Sequence, residues 1–176
     1  MRQTTWERVA EVTVALLLVI QLVPVGGTNP SIEMQVPAST EVRAILRRAC
    51  YDCHSNETRW PRYSRVAPVS WLIASDVYAA RSALNFSTWE RIGLAERRTI
   101  MGTISHDVGR GHMPPRLYVL AHPHTRLSER DQTVLREWAL SVARASVSHA
   151  TSQWFSSRWK ATACASQFNS ETFPSI

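Results

Sequence analysis

Two cysteines three positions apart, closed by a histidine, leave few options in a chain otherwise so poor in cysteine. The stretch "CYDCHSNETRW" runs from Cys50 to Trp60, and the chain's third and last cysteine, Cys164, stands alone far downstream. Three thiols are too few for a disulfide scaffold and their number is odd, so Cys50, Cys53 and His54 must act locally. Three chemistries compete: a covalently attached haem, a metal ion and a thiol–disulfide couple. A structural zinc site needs four ligands, usually from a second Cys/His pair at short spacing, and the sequence offers none. A thioredoxin-like pair opens a helix after a strand in a βαβ unit, so the elements around the motif decide that case.

Those elements read as helices. "STEVRAILRRAC" offers Ser39 or Thr40 as N-cap, Glu41 in the first turn, and Val42, Ile45, Leu46 and Ala49 at helical spacing opposite Arg43, Arg47 and Arg48. Pro68 opens a second pattern, "PVSWLIASDVYAARSAL", whose core-facing stripe is expected to be Val69, Leu72, Ile73, Val77 and Ala80. Short helices are expected over 87–92 and over 95–105, the latter through Ile100, Met101 and Ile104. "HDVGRGHMPPRLY" reads as a loop, rich in Gly and Pro. Ser128 with Asp131 caps a closing helix through Val134, Leu135, Trp138, Ala139 and Val142. No strand alternation or strong hairpin signal appears, so the expected class is all-α and the thioredoxin reading loses its strand.

The N-terminus adds a separate constraint. "VTVALLLVIQLVPV" (12–25) is apolar apart from Thr13 and Gln21, and it follows Arg2 and Arg8, with no further Lys or Arg until Arg43. Its length falls between an export signal and a slightly short membrane anchor, and the charge bias leaves the rest of the chain outside the cytoplasm. The expected organisation is a signal peptide or signal anchor over 1–28, a helical domain over 29–143, with "GGTNPSIEMQVPAST" (26–40) as a tether, and a disordered tail over 144–176. Lys and Arg exceed Asp and Glu by 20 − 14 = 6. The arginines are spread along the chain and form no nucleic-acid footprint, so no nucleic-acid partner is expected.

Cys-x-x-Cys-His is the attachment sequence of c-type haem: two thioether bonds hold the porphyrin edge and the adjacent histidine ligates the iron. Met113 in "GRGHMPP" stands before a proline in a Gly/Pro loop, where a core-filling methionine is out of place; His106, His112, His122 and His124 are rival iron ligands. "CYDCHSNETRWPRYSRVAPVSWLIASDV", "ALNFSTW", "MPPRLYVLAHPHTRLS" and "LREWAL" together resemble the bacterial haem-binding domain family, small envelope-anchored proteins similar to class I cytochrome c. The resemblance covers roughly residues 29–142. It implies a cytochrome c-like helical fold, haem c attached at Cys50 and Cys53, His54 as proximal iron ligand and Met113 as distal ligand. Trp60, Tyr63 and Trp71 are candidate walls of the haem, while Arg62 and Arg116 stand where the family pattern leads one to expect bulky apolar residues. The expected role is a one-electron carrier without catalytic residues, facing the periplasm from the cytoplasmic membrane and serving a redox partner protein. The alternative is a haem sensor or peroxidase-like enzyme in which Met113 leaves the iron and His112 or His106 moves a proton.

Overall fold

The computed structural model describes residues 4–145, except 24 and 26, so the tail beyond 145, with Cys164, lies outside the described residues. The chain forms two compact units: one runs to Arg91 and includes Pro123–Arg126, and the other comprises Ile92–His122 and the chain from Leu127. Among the described residues there is no strand, only an isolated parallel bridge between Met34 and Thr88. The class is all-α.

In the first unit, α1 (Thr5–Val19) is followed by a 3-10 turn, Ile20–Leu22. α2 (Thr40–Ala49) begins where Ser39 Oγ accepts the Val42 N–H at 3.3 Å and buries Val42, Ile45, Leu46 and Ala49, as the periodicity predicts. Arg47 and Arg48 in its last turn complement the negative end of the helix. Cys50 still donates to the Leu46 carbonyl (2.8 Å), but its φ of −125° ends the helix, and one further turn, α3 (Tyr51–His54), carries the motif. After a 3-10 turn over Arg62–Arg65, α4 (Val69–Ala83) follows Pro68.

The phase of α4 differs from expectation. Val69 and Leu72 are exposed, and the fully buried positions are Ser70 and Val77. The helix is turned so that Arg81 reaches the chain after the histidine: Arg81 Nε donates to the Ser55 carbonyl (2.8 Å), while its terminal nitrogens donate to the Thr28 carbonyl, Asn29 Oδ1 and Thr58 Oγ1.

The supposed tether is held down as well. Val36 is buried, Glu33 and Met34 donate to the Ser87 carbonyl, and Glu33 pairs with Arg91. A Cβ at Gly27 would sit 2.5 Å from the Trp60 indole, so glycine permits this close approach. Residues 27–36 thus strap the first unit.

The N-terminal segment expected as a signal or anchor is helical over Thr5–Val19. No residue of α1 is buried, and no helix among the described residues is long and apolar enough to cross a membrane. Glu7, Arg8 and Glu11 occupy its first half, and the helical path ends at Leu22.

In the second unit, α5 (Leu94–Gly109) runs four residues past its expected end and buries Met101, Ser105 and Val108. Gly111 follows at φ +67°, a left-handed conformation that favours glycine. Part of the expected loop is helical: α6 (Arg116–Ala121) buries nothing. The closing helix α7 (129–145) starts at the predicted cap, with Ser128 N–H donating to Asp131 Oδ2 and Asp131 N–H to Ser128 Oγ, and it buries Leu135, Trp138 and Ala139. The segment expected to be helical at 87–92 is only a 3-10 turn, Trp89–Arg91.

Phe86, 2% exposed, stacks on Tyr51 at 5.5 Å between ring centroids. Phe86→Ala is expected to cost about 3–5 kcal/mol in chemical unfolding of the full chain, and Phe86→Leu less, since it leaves a smaller cavity.

Candidate functional site

The two thiols and the imidazole share one turn. The amides of Cys53 and His54 both donate to the Cys50 carbonyl, at 3.1 and 2.9 Å. Tyr51, within that turn, is buried against Phe86, whose own amide donates to the His54 carbonyl (2.8 Å) and whose ring meets the imidazole edge-on at 6.4 Å. Behind the turn, Ser55 Oγ donates to the Tyr51 carbonyl and accepts from Glu57 N–H. Asp52 accepts from the backbone and guanidinium of Arg59. Asn56, Asn85 and Ser87 close the surroundings: Asn85 Nδ2 donates to Asn56 Oδ1, and Asn56 N–H to Ser87 Oγ.

His54 is held through one nitrogen. Its Nδ1 lies 3.1 Å from the Ala80 carbonyl and 3.2 Å from that of Leu84. Carbonyls only accept, so Nδ1 carries the hydrogen, and in the neutral ring Nε2 keeps the lone pair that a metal needs. Burial lowers the His54 pKa below its ordinary value of 6.5, and the two carbonyl bonds partly oppose the shift. The ligand form of the ring is therefore the favoured one at neutral pH.

Cys50 and Cys53 are free thiols. Burial, with the neighbouring Cys53 second, pushes Cys50 up to about 12; burial, with Asp52 and Asp76 after it, pushes Cys53 up to about 11. Dithiol redox centres depend on a depressed thiol pKa, and this turn does the reverse. Nor are any three of the His, Cys, Asp and Glu residues among the described ones grouped to hold a metal ion between them, as a structural zinc site requires. A haem, which brings four of its iron's ligands with it, needs no such group.

The aromatic candidates divide. Trp60 is turned to the strap, with its Nε1 donating to Asn29 Oδ1 at 3.2 Å. Tyr63 is exposed on the 3-10 turn, next to exposed Arg62. Trp71 has its Nε1 buried without a hydrogen-bond partner, as does the Tyr51 hydroxyl. Buried donors normally find acceptors, so both invite a ligand with oxygen atoms.

Met113 belongs to the second unit, 41% exposed, in the turn after Gly111 where its amide meets the Asp107 carbonyl. Arg116, the other departure from the family pattern, is exposed at the start of α6. Among the rival histidines, His106 Nδ1 lies 3.0 Å from Asp107 and His112 Nδ1 3.7 Å from the same oxygen, while His122 Nδ1 faces the Tyr118 carbonyl. His124 is exposed in the first unit. Sequence reading passes over Arg81, Phe86 and the Ala80 and Leu84 carbonyls. "ALNFSTW" was the one signal for Phe86, and main-chain carbonyls leave no signal at all.

A family model described as a haem-binding domain matches residues 15–141. No curated protein and no solved structure matches the chain.

A pH dependence follows from His54. Because its folded pKa is depressed, the unfolded chain binds a proton that the folded chain refuses once pH falls below about 6.5. Stability of the haem-free protein is full above that value and declines below it, by at most about 1.4 kcal/mol per pH unit, until the folded pKa is reached. Unfolding curves at neutral and mildly acidic pH should show this loss, and His54→Gln should reduce it.

Proposed function

The chain belongs to the haem-binding domain family, and on that premise we propose that it holds haem c through thioether bonds at Cys50 and Cys53 and passes single electrons at the outer face of the cytoplasmic membrane. The observation that carries this reading is the pinning of His54 Nδ1 by two carbonyls on the same turn that presents both thiols. An imidazole oriented through Nδ1, on the same turn as two protonated thiols, suits one cofactor class better than zinc or a disulfide.

The surrounding residues fit the group. Haem c supplies an iron that takes up and releases one electron. Cys50 and Cys53 would hold the group covalently through their sulfurs. His54 would offer Nε2 to the iron, and its Nδ1–H bonds to the carbonyls would strengthen that nitrogen as a donor. Trp71 offers its unpartnered indole N–H to a haem carboxylate. Met113 is the proposed distal ligand, a soft thioether that favours the ferrous state. A chain that supplied two ligands to the iron would need no catalytic residue, and its partner would be a redox protein.

Location is read from α1. Trp6, Leu16, Leu18 and Leu22 are 59–79% exposed, an apolar surface that a bilayer would cover. Arg2 and Arg8 precede the run in the sequence, which favours the periplasmic side for the haem-binding part of the chain. The sensor or peroxidase-like alternative retains one favourable observation, the placement of Asp107 beside both His106 and His112 just ahead of Met113.

Cys50→Ala or Cys53→Ala should lower covalent haem, and the double substitution should abolish it, as read by haem staining and a pyridine haemochrome spectrum. Cys164→Ala should leave haem content unchanged. Met113→Ala should keep the haem, lose the long-wavelength ferric band of thioether ligation and lower the reduction potential by on the order of 100 mV. An unchanged spectrum and potential would move the distal ligand to another residue, and fast reaction of the unsubstituted protein with peroxide would favour the alternative.

A further inference from the structure

Gln21 is the one polar side chain between Val14 and Val23, and it is not idle. Its Oε1 accepts the Ala67 N–H at 3.0 Å, and its Nε2 donates to the Ala67 carbonyl at 3.0 Å and to the Leu17 carbonyl at 2.9 Å. A primary amide paired with both backbone groups of one residue is a two-point contact, so it sets orientation as well as distance. The apolar segment and the corner before α4 are thereby clipped together.

Around Ala67 the surface has an uncommon composition. Tyr63, Val66, Val69 and Leu72 are 42–65% exposed, and exposed Arg62 and Arg65 have no acidic partner among the described residues. Aliphatic groups, a tyrosine and unpaired arginines on one short stretch match the layer where acyl chains meet headgroups. Arginine stems lie along apolar surface while the guanidinium reaches phosphate.

We propose that this corner, the 3-10 turn Arg62–Arg65 with the first turns of α4, rests on the headgroup layer of an anionic phospholipid bilayer, held there by the Gln21 clip. The proposal rests on the reading of α1 as the membrane-seated segment. Gln21 stands at the C-terminal end of the apolar run, where a bilayer-seated segment would leave the hydrocarbon, and Ala67, bonded to it, would lie at the same depth. Leu22 and Val23, exposed just beyond, extend the apolar contact. From Ala67 the axis of α4 carries the carbonyl of Ala80, and with it His54, about 20 Å further along the helix at 1.5 Å per residue. The clip thus sets a fixed distance and tilt between the membrane and the histidine turn.

The test uses the full, haem-loaded chain in nanodiscs of equal parts phosphatidylglycerol and phosphatidylcholine. A photoreactive benzophenone side chain replaces Val66, Leu72 or, as reference, exposed Ser82, and mass spectrometry reads lipid adducts. Adducts at 66 and 72 but not at 82 support the proposal. Each arginine near an anionic leaflet biases docking about fivefold, so Arg62→Gln with Arg65→Gln should shift the docked ratio about 25-fold, and pure phosphatidylcholine should act likewise. Gln21→Ala should cut the adducts while haem staining and recovery in the nanodisc fraction persist. Nanodisc-bound protein whose 66 and 72 positions react only with water, haem or the chain itself overturns the proposal and leaves the membrane reading standing. Failure of the unsubstituted chain to enter nanodiscs overturns both.

Discussion

The hydrogen bonds from His54 Nδ1 to the Ala80 and Leu84 carbonyls are the constraint on which the first unit depends. Leu84 N–H already bonds the Ala80 carbonyl, so the imidazole N–H shares that oxygen, whereas the Leu84 carbonyl lies just past the last helical residue. α4 ends at Ala83, and the extended backbone of Leu84 (φ −159°, ψ 127°) releases the chain just where its carbonyl meets the ring. The negative end of the helix dipole then favours the N–H pointing at it, which makes the free nitrogen a better donor.

Such a contact tolerates little play, and the surroundings remove it. Arg81, one residue after Ala80, binds the Ser55 carbonyl next to His54 and extends to Thr28, Asn29 and Thr58. The motif turn, the end of α4 and the N-terminal strap are therefore one hydrogen-bonded body. Phe86 closes its inner side, donating to the His54 carbonyl and stacking on Tyr51. Burial of the same turn pushes both thiols above their ordinary range, so the packing that orients the imidazole also disfavours the thiolate forms.

The N-terminal segment enters this arrangement from both ends. Residues 27–36 strap the unit through Arg81, Trp60 and Ser87, and Gln21 joins the apolar helix to Ala67 at the opposite end of α4. A segment that composition alone describes as an anchor and a tether is, in three dimensions, bonded to both ends of the helix that holds the histidine.

Sequence alone determined the all-α class, the cap and buried stripe of α2, the cap and buried residues of α7, and the identity of the motif. Each of these depends on neighbours within a few positions, where helical spacing and capping chemistry are decided. Tertiary structure decided the rotation of α4, the strap, the helical turn after Pro115 and the holding of His54. Of the expected stripe, Val69 and Leu72 are exposed and Val77 is buried: hydrophobic periodicity counts aliphatic side chains, whereas α4 also carries a guanidinium whose acceptors lie 23–53 residues away. The carbonyls that orient the imidazole belong to Ala80 and Leu84, and a backbone oxygen is the same in every residue. Its position in space, which only the folded chain sets, is what makes it part of a site.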